Sequence, residues 1–93
     1  MIQNFPSINM VKTGQNITRL RTAAGLTVRD IQEVFGFSTP NAVYKWQRGQ
    51  ALPTLDNMAV LSLLFGVRID DILVLEDDGE KAFQNAFGLP AGA

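Results

Sequence analysis

The apolar positions of this chain fall into short runs with helical spacing, punctuated by glycines. Ile17, Leu20 and Ala24 recur at i, i+3 and i+7, which lays them on one helical face. A helix is expected to open at Thr13, a candidate N-cap, and to stop at Gly25, with Arg19 and Arg21 pointing elsewhere. Thr27-Val28-Arg29-Asp30 has the form of a capping box with Asp in place of Glu. Ile31, Val34 and Phe35 then supply the inward face of a second helix that ends at Gly36. After the turn Phe37-Ser38-Thr39, Pro40 fits the first position of a third helix, where its missing N–H would be unpaired anyway. Thr39 is the expected N-cap, with Ser38 as the alternative, and the helix runs from Pro40 to Arg48 with Gly49 beyond its end. Val43 and Trp46 face one way along it; Asn41, Tyr44, Lys45 and Arg48 face the other.

The second half is patterned differently. Thr54 caps a helix through Phe65 in which Leu55, Met58, Ala59, Leu61, Leu63, Leu64 and Phe65 are apolar nearly all round, the mark of a central, buried helix. Gly66 ends it. A fifth helix is expected from Ile69 to about Leu75, with Ile69, Ile72 and Leu73 inward. Glu76-Asp77-Asp78-Gly79-Glu80 breaks that helix with charge, and residues 81–88 can add one or two turns. Their stripe of Phe83, Ala86 and Phe87 either folds back on the core or forms a dimer contact. No period marks residues 1–12, the tail from Leu89 should fray, and nothing alternates as a strand does. The expectation is one all-α domain of four or five core helices: an N-terminal arm 1–12, a helical unit 13–75 and an acidic extension 76–93.

Composition narrows the function. Apolar residues make up 46% of the 93 and charged residues 18%, which sets disorder aside for most of the length. There is no cysteine and no histidine. Disulfides and thiolate metal sites are thereby removed, as is the commonest general base, so no cofactor, metal site or small-molecule ligand is expected and an enzyme is the least favoured class. A cysteine-free chain fits a reducing cytoplasm. No apolar run approaches the roughly 20 residues a bilayer span needs, and the first residues lack the basic start and apolar run of a signal peptide.

Net charge is −1, but it is unevenly distributed. Residues 12–48 hold six basic side chains against two acids, net +4; residues 49–93 hold two against seven, net −5. The positive half can attract phosphate while the negative half discourages wrong contacts. Two short helices joined by a tight glycine turn, the second with a polar outer face, read as a helix-turn-helix whose second member fits the DNA major groove.

The ordered pieces Ile17-x-x-Leu20-Arg21, Gly25-Leu26-Thr27, Ile31-x-x-Val34-Phe35-Gly36-Phe37-Ser38, Val43-x-x-Trp46-Gln47-x-Gly49, Pro53, Leu61-x-x-Leu64-Phe65-Gly66-Val67 and Asp71-Ile72-Leu73 carry a family resemblance. Residues 13–75, about two-thirds of the chain, resemble the Xre/Cro type of lambda-repressor-like DNA-binding domains of bacterial regulators. The resemblance implies a compact five-helix bundle, sequence-specific binding of double-stranded DNA, no catalysis and a homodimer. Three positions and one loop length depart from the family pattern. Val28 stands where Gln often helps contact DNA, and Gln47 where Glu is common, keeping a hydrogen bond but not an ion pair. Arg68 replaces a small polar cap, and the Gly36–Gly49 span is one residue longer, placed in Ser38-Thr39-Pro40.

The candidate DNA-binding residues are Arg29, Ser38, Thr39, Asn41, Tyr44, Lys45 and Arg48. Asn41 can pair bidentately with adenine or cap its helix; Lys45 can take phosphate or guanine; Tyr44 can meet a phosphate or a thymine methyl, or pack on its own helix. Arg29 and Arg48 are phosphate candidates, and Ser38 and Thr39 are caps as well as contacts. Arg19, Arg21 and Lys12 can flank the backbone or merely solvate. Trp46 and Phe37 are read as core, Trp46 by its spacing from Val43. The rival function is a protein-interaction module on the same scaffold, such as an antitoxin-like partner, which the acidic second half favours.

Overall fold

Side-chain caps set the starts of three helices. Asn9 accepts the Lys12 N–H at 2.9 Å and opens α1 (Met10–Ala23). Thr27 and Asp30 cap each other's backbone N–H groups at 3.0 and 2.8 Å and open α2 (Val28–Phe35). Thr54 accepts from Asn57 N–H at 3.2 Å and opens α4 (Leu55–Phe65). Between them lies α3 (Asn41–Arg48), and after them α5 (Ile69–Ile72) and α6 (Asp77–Phe87). The computed structural model describes residues 7–88; residues 1–6 of the expected arm and the tail expected to fray lie outside them. The described residues are helical apart from their connections and a single antiparallel bridge, Ile8 to Leu75.

The core is Ile17 and Leu20 of α1, Ile31 of α2, Val43 and Trp46 of α3, Met58 and Leu61 of α4 and Ile72 of α5. It is the five-helix arrangement the resemblance implies, with α6 added at its end. The closest crossing is α1 on α3. A Cβ on Gly14 would collide with the carbonyl oxygens of Trp46 and Gln47, and one on Gly49 would meet the Val11 backbone. Gly49 also has φ 73°, so only glycine serves both its needs.

Several expectations are corrected. Helix α1 starts at Met10, not Thr13, because Asn9 supplies the cap. Thr13 is fully buried; its hydroxyl accepts the Val74 N–H at 3.0 Å and donates to the Val74 carbonyl at 3.4 Å. Ala24 and Val34, expected on inward faces, are exposed, Val34 by 53%. Pro40 is the residue before α3 rather than its first, its carbonyl taking the Tyr44 N–H at 3.1 Å. Helix α4 is not buried all round: Leu55 is 75% and Leu63 84% exposed.

The fifth helix is one turn long. Residues 73–76 instead form an extended strap against residues 7–9, through Asn9 N–H to Val74 carbonyl at 2.7 Å and Glu76 N–H to Ser7 carbonyl at 2.8 Å. Asn16 fastens the end of α5, donating its amide to the carbonyls of Asp71 at 2.7 Å and Ile72 at 3.0 Å. Helix α6 begins four residues earlier than the expected turn, at Asp77.

Candidate nucleic-acid interface

The two faces of α3 have separate work. Its inner face carries Val43, fully buried, and Trp46, whose indole meets the Phe35 ring edge-on at 5.5 Å and the Phe37 ring at 5.9 Å. Phe35 and Phe37 stack on each other at 5.2 Å, so the angle between α2 and α3 is wedged by three aromatic rings. Trp46 is therefore core, as its spacing implies, and Phe37 plugs the turn. The turn is also tied by Gln32, which donates to the Phe37 carbonyl at 3.2 Å.

A second tie was only half visible in the sequence. Arg21 of α1 donates to the Gln47 side-chain oxygen at 2.9 Å and to the Leu26 carbonyl at 2.7 Å. Gln47 keeps the hydrogen bond a glutamate would make. Arg21 thus joins α1, the α1–α2 turn and α3, with its half-buried guanidinium committed to these two bonds. Val28, where the resemblance points to a DNA-contacting Gln, is half-buried against the core.

The outer face gathers most of the candidate residues. Ser38, Thr39, Asn41 and Lys45 are exposed and line an open groove of about 350 Å³ beside α3, with Phe37, Ala42, Trp46 and Ala51 as its apolar lining. Thr39 accepts the Asn41 N–H at 3.4 Å, but it is not the expected N-cap: Pro40 holds that position, and α3 starts without a side-chain cap. Tyr44 and Arg48 lie one turn apart, with the Arg48 guanidinium 5.6 Å from the centre of the Tyr44 ring. Tyr44 is 40% exposed. Arg29 is outside the groove, on α2, paired with Glu33 at 3.2 Å; both side chains are largely in solvent. Ala42 was not singled out by sequence reasoning, because a lone alanine on an amphipathic helix carries no signal.

The electrostatics are simple. Asp30 is held below the usual carboxylate range, first by the Thr27 backbone N–H and then by the Thr27 hydroxyl, against a small opposing effect of burial. Among the described residues there is no group of three His, Cys, Asp or Glu side chains placed to hold a metal, and no helix long and apolar enough to cross a membrane.

The chain is similar to known proteins in just this region. The helix-turn-helix family profile matches residues 17–72. Among solved structures, the restriction-modification controller protein C.AhdI from Aeromonas hydrophila superposes with a TM-score of 0.61 at 28% identity, over 69% of this chain and 96% of that one. The DNA-binding domain of BldD gives 0.59 at 23% identity, over 70% and 93%. The S. venezulae BldD DNA-binding domain gives 0.58 at 23% identity, over 70% and 96%. No curated protein matches the chain by sequence. With the profile spanning the helices that build the wedge and its polar face, the chain belongs to the Xre/Cro-type, lambda-repressor-like helix-turn-helix family.

Proposed function

We propose that this protein is a sequence-specific DNA-binding transcriptional regulator that inserts α3 into the major groove. The observation that carries the reading is the division of α3. Trp46 and Val43 lock one face into the core, while Asn41, Tyr44, Lys45 and Arg48 stand exposed on the other. A helix fits the groove, and its first residues meet base edges. That C.AhdI is a controller protein and that the BldD domains bind DNA supports the same reading.

In this reading Asn41 reads adenine through its amide, and Lys45 takes guanine or a phosphate. Arg48, steadied over the Tyr44 ring, and Arg29 take phosphates, and the Ser38 and Thr39 hydroxyls add positioning contacts. The three-ring wedge and the Arg21–Gln47 tie hold α3 at a fixed angle, so the contacts arrive preorganised. Two copies on a two-fold site would place half-sites about one helical turn apart, and the protein would act in the bacterial cytoplasm.

Selection of bound sites from random DNA tests the reading and reports site symmetry. On the selected site, Asn41→Ala and Lys45→Ala should each cost about 1–3 kcal/mol in gel-shift titrations, with Lys45→Ala lowering the salt slope by about one. Both variants binding as the wild type would put the recognition surface elsewhere. No salt-dependent DNA affinity, together with tight capture of a protein partner, would select the interaction-module reading.

A further inference from the structure

Helix α1 carries a polar site that the α3 face does not use. Lys12, Gln15, Asn16 and Arg19 follow at i, i+3, i+4 and i+7, which puts them on one side of the helix. With Val74 of the strap they line an open pocket of about 310 Å³. Helix α3 crosses α1 at Gly14. At 3.6 residues per turn, Lys12, Gln15 and Arg19 lie roughly 100–160° around α1 from that glycine, so the pocket opens on another side of α1 from the crossing.

The fold holds the arginine of this pocket in place. The Asn16 amide is spent on the Asp71 and Ile72 carbonyls, at 2.7 and 3.0 Å, which fixes that side chain. The Asn16 side-chain oxygen then accepts from Nε and Nη2 of Arg19, at 3.0 and 2.6 Å. A free arginine has much rotamer freedom to lose on binding a ligand; here part of that loss is already taken in folding. One edge of the guanidinium remains, with Nη1 and Nη2 N–H groups side by side and no acceptor among the described residues. That edge matches the two oxygens of a carboxylate. Lys12 has no acid within ion-pair distance either, since the one ion pair among the described residues joins Arg29 to Glu33.

The surroundings choose between anions. The segment that supplies Val74 also exposes Asp70, Asp71 and Glu76. The continuous charge of a phosphate backbone would meet all of these acids. A peptide can set single carboxylates against the two cations and keep neutral residues elsewhere. From Lys12 to Arg19 the helix rises about 10 Å, the span of three residues of extended chain. We propose that this pocket binds an extended acidic segment of a partner protein. Its carboxylates, three residues apart, pair with Lys12 and Arg19, an apolar side chain between them rests on Val74, and Gln15 meets its backbone amides. The proposal concerns α1 and stands whether or not α3 binds DNA.

The probe is the blocked tetrapeptide Glu-Ala-Leu-Glu, titrated into the isotope-labelled full chain and followed by nuclear magnetic resonance. The expected result is a shift of the Arg19 Nε–H and of the Gln15 side-chain amide, with the outer face of α3 unmoved. Gln-Ala-Leu-Gln should bind at least about tenfold more weakly, and Lys12→Ala and Arg19→Ala should each weaken Glu-Ala-Leu-Glu at least about fivefold, since each change deletes a charge-assisted contact. Both side chains are exposed, so these variants keep the fold. Setting the acids side by side, as in Ala-Glu-Glu-Leu, should also weaken binding, whereas Arg29→Ala should leave it unchanged. A tetrapeptide that does not bind, equal binding of the Glu and Gln peptides, or binding that ignores Arg19→Ala overturns the proposal. So does random-sequence duplex DNA that displaces the peptide and itself loses affinity in Arg19→Ala, because the pocket would then take phosphate.

Discussion

Helices α1–α3 and α4–α6 reach their folds by different routes. In the first group each helix has one inward face and one mainly polar face, with Val11 of α1 and Val34 of α2 as exposed apolar exceptions. Trp46, Val43, Ile31 and Ile17 are buried while Asn41, Lys45 and Arg29 stand outside. In the second group apolar residues exceed what the bundle can cover, and Leu55 and Leu63 remain in solvent. Alternation around the helix, more than apolar content, therefore marks which side is core. A helix apolar all round reads as central, yet a 93-residue bundle has too little interior to bury it. Surplus apolar surface in such a domain points to a partner.

The largest expected effect breaks this contrast across the two halves. Trp46→Ala removes the indole that wedges Phe35 against Phe37 and should cost about 3–5 kcal/mol in urea unfolding. Leu63→Ala, on the other side of the comparison, should stay within about 0.5 kcal/mol when measured at concentrations low enough to keep the chain monomeric. Similar costs for the two would mean that α4's outer stripe is covered within one chain.

A smaller effect sharpens how the first group is joined. Gly14→Ala has a helical backbone and would raise helix propensity on an isolated helix. Here the added methyl meets the Trp46 and Gln47 carbonyls, so α1 and α3 must move apart. The expected loss is about 1–3 kcal/mol in stability. A neutral or stabilised variant would show that the crossing is looser than these distances imply.

Legibility follows the same division. The capping box at Thr27, the glycine stops at Gly36, Gly49 and Gly66, and the inward Trp46 were readable because each is a local rule satisfied locally. Thr13 was misread as a cap because threonine suits a cap. What decides its place is Val74, 61 residues away, which takes the hydroxyl into the interior. The strap at 73–76 was invisible for the same reason: its partners are residues 7–9, and a single bridge leaves no alternation. Of the candidate interface, the polar face of α3 was legible from periodicity. Arg29's pairing with Glu33 and the placing of Tyr44 beneath Arg48 depend on rotamers that spacing alone does not specify. Arg21 illustrates the limit: its charge suggested the surface, and a hydrogen bond to Gln47 turned it inward.

The capping boxes give a third comparison. At α2 the exchange is reciprocal, Thr27 and Asp30 each satisfying the other's N–H; at α5 Asp71 accepts from Arg68 N–H at 2.9 Å, and an arginine side chain has no acceptor to return. Because Asp30 titrates below its ordinary range in the fold, the unfolded chain binds its proton first. The stabilisation is thus present above the unfolded-state value and is lost as pH falls through the lower folded-state value. Thermal melts between neutral and acid pH should show the wild type losing stability across that window, and Asp30→Asn should flatten that part of the slope. Identical slopes would show that the Thr27–Asp30 box contributes no pH dependence.

The smallest expected effect bears on the outer face itself. Arg29 and Glu33 form a pair 84% and 65% exposed, and such pairs contribute little to stability, typically about 0–1 kcal/mol. Glu33→Gln should therefore leave the melting temperature almost unchanged. It should nonetheless affect DNA binding if Arg29 faces phosphate, because the carboxylate competes for the guanidinium and repels the backbone. The expected outcome is a gain in affinity of about twofold at low salt, fading as salt is raised past the point where exposed charges are screened. Arg29→Ala should cancel the gain, since the two side chains act as a unit. If Glu33→Gln changes affinity equally with and without Arg29, the carboxylate acts only through the general field of the positive half. Arg29 would then drop out of the interface, and phosphate contact on that side would fall to the hydroxyls of the Ser38–Thr39 turn.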